Sequence, residues 1–333
     1  MIRILFVILN YQNGFYMKSL SLLELGKPVQ FTDSPEPSAD ENQLIVDLKA
    51  SALNHRDVWI TKGMYPGITT PMILGSDGVG QVGDETVVIN PGLKWGRNEA
   101  VQSDEFEVWG LPTNGTFAEK IAIDKKYVYP KPDHLSLHEA AALPLAGLTA
   151  FRVLFSRCGV KSSDRVLITG AGGGVALIAI QMAIAFGCEV HVTSGSEQKI
   201  EKAKALGAFE GYNYKTENWH KGVKGLFDVI IDSAGGAGFS NLTKVCAPGA
   251  RIGFYGASLG KYSNLNPQLL FWRQISILGS TMGSDADFQN MLTFVSKHKI
   301  KPIVDEVFDL EDGPLAFEKM DAGKQFGKIV LQH

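Results

Sequence analysis

The chain has 333 residues, 45% of them hydrophobic and 20% charged, and its 32 basic side chains against 35 acidic ones give a net charge of −3. At roughly 100–200 residues per domain this length fits two domains and excludes a peptide hormone, a fibre or a disordered tail. The balanced charge without a basic run argues against a nucleic-acid partner, and no window reaches the roughly 18 consecutive apolar residues of a membrane span.

Three scattered cysteines, Cys158, Cys188 and Cys246, form neither a metal-binding pair nor a disulfide framework, so a reducing, cytoplasmic compartment is expected. Met1 to Leu9 is an apolar run carrying Arg3, but no small-residue cleavage site follows it. Met17 opens a stretch that reads as the first strand, and residues 1–16 are therefore read as an N-terminal extension. Residues 17–147 carry short β-branched runs with turn punctuation, such as Gln43 to Lys49, Thr86 to Ile89 and Phe117 to Ile123. These predict an antiparallel, partly barrel-like first domain, with Lys94 to Gly110 as a long loop.

From 148 to 287 the pattern changes to apolar strands alternating with longer helical stretches, through Arg165 to Thr169, Glu189 to Thr193, Asp228 to Asp232 and Arg251 to Tyr255. This predicts βαβ units on a doubly wound parallel sheet, an α/β fold. Residues 288–333 hold a helix and two strands, expected to rejoin the first domain. Phe271 to Leu278 reads as one apolar strand.

The strongest local signal is the strand from Arg165 running into Gly170, Ala171, Gly172, Gly173 and Gly174, then Val175 and a helix of small residues. A dinucleotide fold needs such a tight turn so that phosphates can rest on amides at the helix N-terminus. The G-x-G-x-x-G/A pattern fits with Ala171 at its first position, Gly173 at its second and Ala176 at its last. A glycine turn of another α/β enzyme, such as a methyltransferase, has the same appearance. Where a carboxylate would grip an NAD ribose stands Ser194, followed by Ser196 and Lys199, a set that would accept the 2′-phosphate of NADP. Glu197 is a dissenting charge, and helix capping is an equally simple use of the serines.

In its ordered series of motifs the chain resembles the medium-chain dehydrogenase/reductase superfamily, and within it the zinc-free quinone oxidoreductase branch. The motifs include Ala52 to Asp57, Gly63 to Pro66, Pro71 to Gly78, Gly115 to Glu119, Glu139 to Ala150, the glycine turn, Lys202 to Ala208, Asp232 to Gly235, Leu278 to Ser280 and Gly327 to Leu331. The resemblance implies a Rossmann domain inserted into a GroES-like catalytic domain, an active site in the cleft between them, and a homodimer. Zinc-dependent relatives carry a cysteine at Asn54, Gly-His-Glu at Gly75 to Asp77, and a further cysteine near Leu145 to Leu148. A catalytic zinc needs three ligands of Cys, His or carboxylate type, and only Asp77 remains, so no metal is expected.

The activity that this resemblance implies is NADPH-dependent hydride transfer to a quinone or an α,β-unsaturated carbonyl. Asn54, Trp59 and Tyr65 are the implied catalytic or cleft-lining residues, Tyr65 as a proton donor, with Trp95 placed in the same cleft. His55, Thr149, Tyr214, Ser233, Tyr255, Gly256, Leu278 and Gly279 join the glycine turn and Ser194 as implied cofactor contacts. Two alternatives stay open: an alcohol or carbonyl dehydrogenase of the same superfamily, and a non-catalytic NADPH-binding protein.

Overall fold

Strand Gln43–Ala52 organises the first half of the molecule, because its ten residues are long enough to take partners along both edges. In the computed structural model, which describes residues 15–333, its first half pairs antiparallel with Lys120–Asp124 and its second half with Asp77–Val82 and Lys328–Gln332. The inward side chains Val46 and Leu48 pack with Ile89, Ile121 and Ile123, the outcome expected of alternating β-branched runs. Residues 1–14 of the expected extension lie outside the described residues. Tyr16 already pairs with Pro35, so the first strand, Tyr16–Leu22, begins one residue before Met17.

The end of the chain returns to this sheet. Strand Lys328–Gln332 sets Val330 opposite Ala52 and runs parallel to Val304–Asp309 on its other side.

The middle of the chain forms a six-stranded, all-parallel sheet. Its spatial order is Glu210–Asn213, Glu189–Ser194, Arg165–Ile168, Phe227–Asp232, Cys246–Phe254 and Ser276–Gly279. Numbered along the chain, this is the 3-2-1-4-5-6 order of a dinucleotide-binding sheet, whose ligand crevice opens where the order reverses, beside the first strand. Helix Gly174–Phe186 follows that strand and is apolar almost all round; Ala176 to Ile180, Met182 and Ala183 are buried. Gly187 closes it in the left-handed region at φ 102°, the usual glycine stop.

Phe271 to Leu278 is not one strand. Pro267–Arg273 is a helix, because Asn266 accepts from the amides of Gln268 and Leu269 and Pro267 takes the first turn, a start signal that outweighs the apolar run. Only Ser276–Gly279 is extended, at the sheet edge, and Phe271 and Trp272 stand 63% and 83% exposed. Among the described residues no helix is long and apolar enough to cross a membrane.

Candidate active site between the two sheets

A cavity of about 490 Å³ lies between the two halves. Its first wall comes from the end of strand Gln43–Ala52 and the helix after it, His55–Thr61, which bring Leu53, Asn54, His55, Arg56 and Trp59 to the cavity, with Tyr65 beyond. The opposite wall is the glycine turn, Gly173, Gly174 and Val175, with Ser233, Tyr255 and Gly256 at carboxyl ends of parallel strands.

Thr149 enters from helix Pro144–Phe151. Ser280, Thr281 and Met282 enter after the edge strand, and Phe106 and Val108 enter from the long loop.

At the floor is a buried charged cluster. Lys328 Nζ donates to Asn54 Oδ1 at 2.6 Å, Asp77 Oδ2 at 2.8 Å and the Leu53 carbonyl at 2.8 Å. Asp77 also accepts from Asn54 Nδ2 at 2.9 Å and from the Leu145 amide at 2.7 Å. A buried carboxylate recruits every donor within reach. Asn54 Nδ2 thus donates inward, to Asp77 at 2.9 Å and to the Ala52 carbonyl at 3.5 Å.

The turn carrying Asp77 is held by close backbone packing, since a Cβ on Gly115 would stand 2.0 Å from the Gly75 carbonyl oxygen. Arg56 donates to Ser76 Oγ and to the Trp109 carbonyl, each at 2.7 Å, and its guanidinium lies 5.7 Å from the centre of the Tyr65 ring.

Protonation follows from these surroundings. Burial raises the Tyr65 phenol above its ordinary value, with Arg56 opposing, so Tyr65 keeps its proton at neutral pH and can donate it. Burial pushes the Asp57 carboxyl up to about 6, against Arg56 and the Asn54 amide; its Oδ2 accepts from that amide at 2.8 Å, while Oδ1 has no hydrogen-bond partner and lies 4.0 Å from an Arg56 guanidinium nitrogen. Desolvation of the ring and then the Lys328 charge hold the His55 imidazole below its usual value. Burial pushes Cys158 and Cys246 up to about 12 and Cys188 to about 11, which keeps them as thiols.

The cavity has the features of a dinucleotide site. Thr149 Oγ1, Ser280 Oγ and Gln325 Oε1 line it, are buried, and have no hydrogen-bond partner, and buried polar atoms are seldom left so without a ligand. Gly173 and Gly174 begin a helix of 13 residues, whose free amides and dipole suit a pyrophosphate. These residues fit a nicotinamide dinucleotide.

Zinc does not fit. Asn54, Ser76 and Leu145 to Leu148 supply neither thiolate nor imidazole, and Asp77 is already paired with an ammonium group. Among the described residues no three His, Cys, Asp or Glu side chains gather as a metal set.

Eleven expected site residues therefore line one cavity: Asn54, His55, Trp59, Tyr65, Thr149, Gly173, Gly174, Val175, Ser233, Tyr255 and Gly256. The others stand apart from it. Ala171 is buried, and its amide donates to the Thr193 carbonyl. Gly172 gives its carbonyl to the Gly327 amide at 2.9 Å. Ser194 is 4% exposed and accepts from the Ser196 amide at 3.3 Å, while Ser196 caps helix Glu197–Ala205.

Lys199 lays its stem over Gly172 and donates to the Gln325 carbonyl at 2.8 Å. Tyr214 is exposed, its hydroxyl close over Gly195 with Lys215 beside it. Glu197 is the first residue of helix Glu197–Ala205 and accepts from Asn213 Nδ2 at 2.6 Å. Leu278 and Gly279 lie in the edge strand, and the cavity wall starts after them, at Ser280. Trp95 is 2% exposed and packs on Phe106 behind the wall.

Sequence reasoning does not find Lys328, Gln325, Phe106 or Met282. The signal for Lys328 is present in Gly327 to Leu331, which reads only as a strand.

Comparison with known proteins agrees with this architecture. The zinc-binding dehydrogenase family matches residues 174–297 and the alcohol dehydrogenase GroES-like domain family residues 40–133. A zinc-type alcohol dehydrogenase-like protein of Leptosphaeria maculans is 32% identical, over 92% of this chain and 94% of its own length. The quinone oxidoreductase of Mus musculus is 27% identical, over 95% and 97%. A solved structure of an NAD-dependent alcohol dehydrogenase superposes with a TM-score of 0.90 at 39% identity, covering 95% of this chain and all of that one.

The chain belongs to the medium-chain dehydrogenase/reductase superfamily: a GroES-like domain joined to a Rossmann domain, and an oxidoreductase whose family implies a nicotinamide cofactor.

Proposed function

We propose that the protein is an NADPH-dependent reductase that delivers hydride to a quinone or an α,β-unsaturated carbonyl, with no metal in the step. The carrying observation is the Lys328 ammonium seated on Asn54 Oδ1 and Asp77 Oδ2, with no set of three metal-ligating side chains gathered there among the described residues. A hydride acceptor that is already activated needs orientation and a proton more than a Lewis acid.

The bound nicotinamide supplies the hydride. Thr149 Oγ1 and Ser280 Oγ would hold its amide and the glycine-turn amides its pyrophosphate, while Lys328 and Asp77 keep Asn54 rigid beneath. Trp59, Tyr65, Phe106, Val108 and Met282 enclose a flat apolar acceptor and exclude water, and Tyr65 donates its phenolic proton to the reduced product. The preference for the 2′-phosphate is supported by Ser194 together with Lys215 and Tyr214 at Gly195. A homodimer through Ser276–Gly279 is supported by that strand's unpaired outer edge and by exposed Phe271 and Trp272. An alcohol or carbonyl dehydrogenase is the second reading, favoured by the names of the Leptosphaeria protein and of the superposed structure.

Parallel titrations with NADPH and NADH, read by tryptophan quenching and repeated on Ser194→Asp, test the cofactor. Tighter NADPH binding that the substitution reverses is the expected result. Turnover of a quinone and enone panel that survives chelation is expected beside it, whereas stoichiometric zinc required for turnover of alcohols would select the second reading. Saturable binding without turnover on either panel would leave a non-catalytic binding protein.

A further inference from the structure

Arg152 lies outside the cavity, yet it joins three of the cavity's walls. It begins a π-helical turn, Arg152–Arg157, that continues helix Pro144–Phe151 one turn after Thr149; such turns often occur at functional sites. Its side chain is 4% exposed. One guanidinium nitrogen donates to Asp287 and, at 3.1 Å, to the Glu99 carbonyl; the other donates to Glu99 at 3.1 Å and to the Ala100 carbonyl at 2.9 Å.

The guanidinium carbon lies 4.5 Å from the centre of the Trp95 ring, and Trp95 meets Phe106 edge-on at 5.2 Å. Phe106 and Val108 then face the cavity. On the other side, Asp287 accepts from Ser156 Oγ at 2.5 Å and, through its exchange with Ser284, fixes the start of helix Asp285–His298. That start lies three residues beyond Met282, which also faces the cavity.

We propose that Arg152 is a positioning residue for substrate selection: it ties the loop carrying Phe106 to the helix carrying Thr149, and so sets the width of the acceptor end of the cavity. Only a planar fork can bond two successive loop carbonyls and a carboxylate together while stacking on an indole. Lysine supplies the charge that buried Asp287 needs but not the fork. With the fork in place the cavity grips a single flat ring between Phe106 and Trp59. Without it the loop swings out, and small acceptors lose their grip while fused-ring acceptors do not.

The inference about acceptors rests on the proposed reductase activity; the tie itself does not. Arg152→Lys is the test, because it leaves Asp287 paired where Arg152→Met would strand it. Three readouts are taken together: trypsin cleavage after Arg97 in the loop, NADPH affinity by quenching, and kinetics on benzoquinone against a naphthoquinone.

The expected result is cleavage about tenfold faster, an unchanged NADPH affinity, and a benzoquinone KM raised about tenfold with kcat nearly constant, the mark of lost uniform binding. The naphthoquinone KM should move less than about twofold. Cleavage at the wild-type rate overturns the tie. Faster cleavage with both KM values unchanged, or with both rising alongside the NADPH dissociation constant, overturns the role in selection and leaves Arg152 purely structural. Should the wild type reduce neither quinone, the proposed activity and with it the selection inference fall, while Arg97 cleavage still decides the tie.

Discussion

The two sides of the cavity are built on opposite principles. On the Rossmann side the wall is led by consecutive residues of the glycine turn, Gly173 to Val175, delivered by one strand and one helix. On the catalytic side it is built of side chains from distant parts of the chain, with Lys328 reaching Asp77 across 251 residues of sequence. A site made of local backbone tolerates single changes well, whereas one made of buried charges has each member holding another in place.

The largest test of that contrast is Lys328→Met, which leaves Asp77 buried without its cation. Breaking a buried pair from one side costs about 3–5 kcal/mol, to be read as a lowered urea midpoint. Adding Asp77→Asn should return more than half of the loss; a double variant no more stable than the single would show that the charge pair is not what holds this side.

Asp57→Asn is next. The folded carboxyl keeps its proton up to about pH 6, whereas an unfolded aspartate loses it near pH 4. The stability this contributes is therefore complete below about pH 4 and is lost as pH rises through 6. Asparagine keeps it, so the variant should be more stable than wild type at pH 7.5 by about 1–3 kcal/mol, with the gap closing toward pH 4. A gap independent of pH would mean that Asp57 is ionised in the fold.

The smallest effect is expected on the Rossmann side. Ser196→Ala removes a long cap bond of 3.4 Å and should cost about 0.5–1 kcal/mol in thermal or urea unfolding. A loss matching that of Lys328→Met would erase the contrast.

The same difference governs what can be read from the sequence. The parallel sheet and glycine turn are legible because strand, turn and helix are consecutive and each has its own residue signature. The tail's two strands are legible as β-branched runs, and their return to the first sheet is implied by the lack of room for another βαβ unit. The charged floor is not legible, because nothing local marks Lys328 as the partner of Asp77 or shows that Asn54 donates inward. Trp95 is misplaced for a related reason: composition shows an aromatic residue in a loop but not which side of the wall it faces. Phe271 to Leu278 misleads because its apolar content outweighs, on a first reading, the helix start at Asn266-Pro267.

Lys328 also bears on how the chain is made. On the ribosome Asp77 is synthesised 251 residues ahead of its cation, and strand Gln43–Ala52 waits longer still for strand Lys328–Gln332, which sets Val330 opposite Ala52. The first half of the nascent protein therefore holds that carboxylate without its cation, and an open sheet edge, until residues 328–332 have emerged. The inserted Rossmann sheet, with every strand in hand by Gly279, is free to fold first and serve as the platform on which the catalytic half closes.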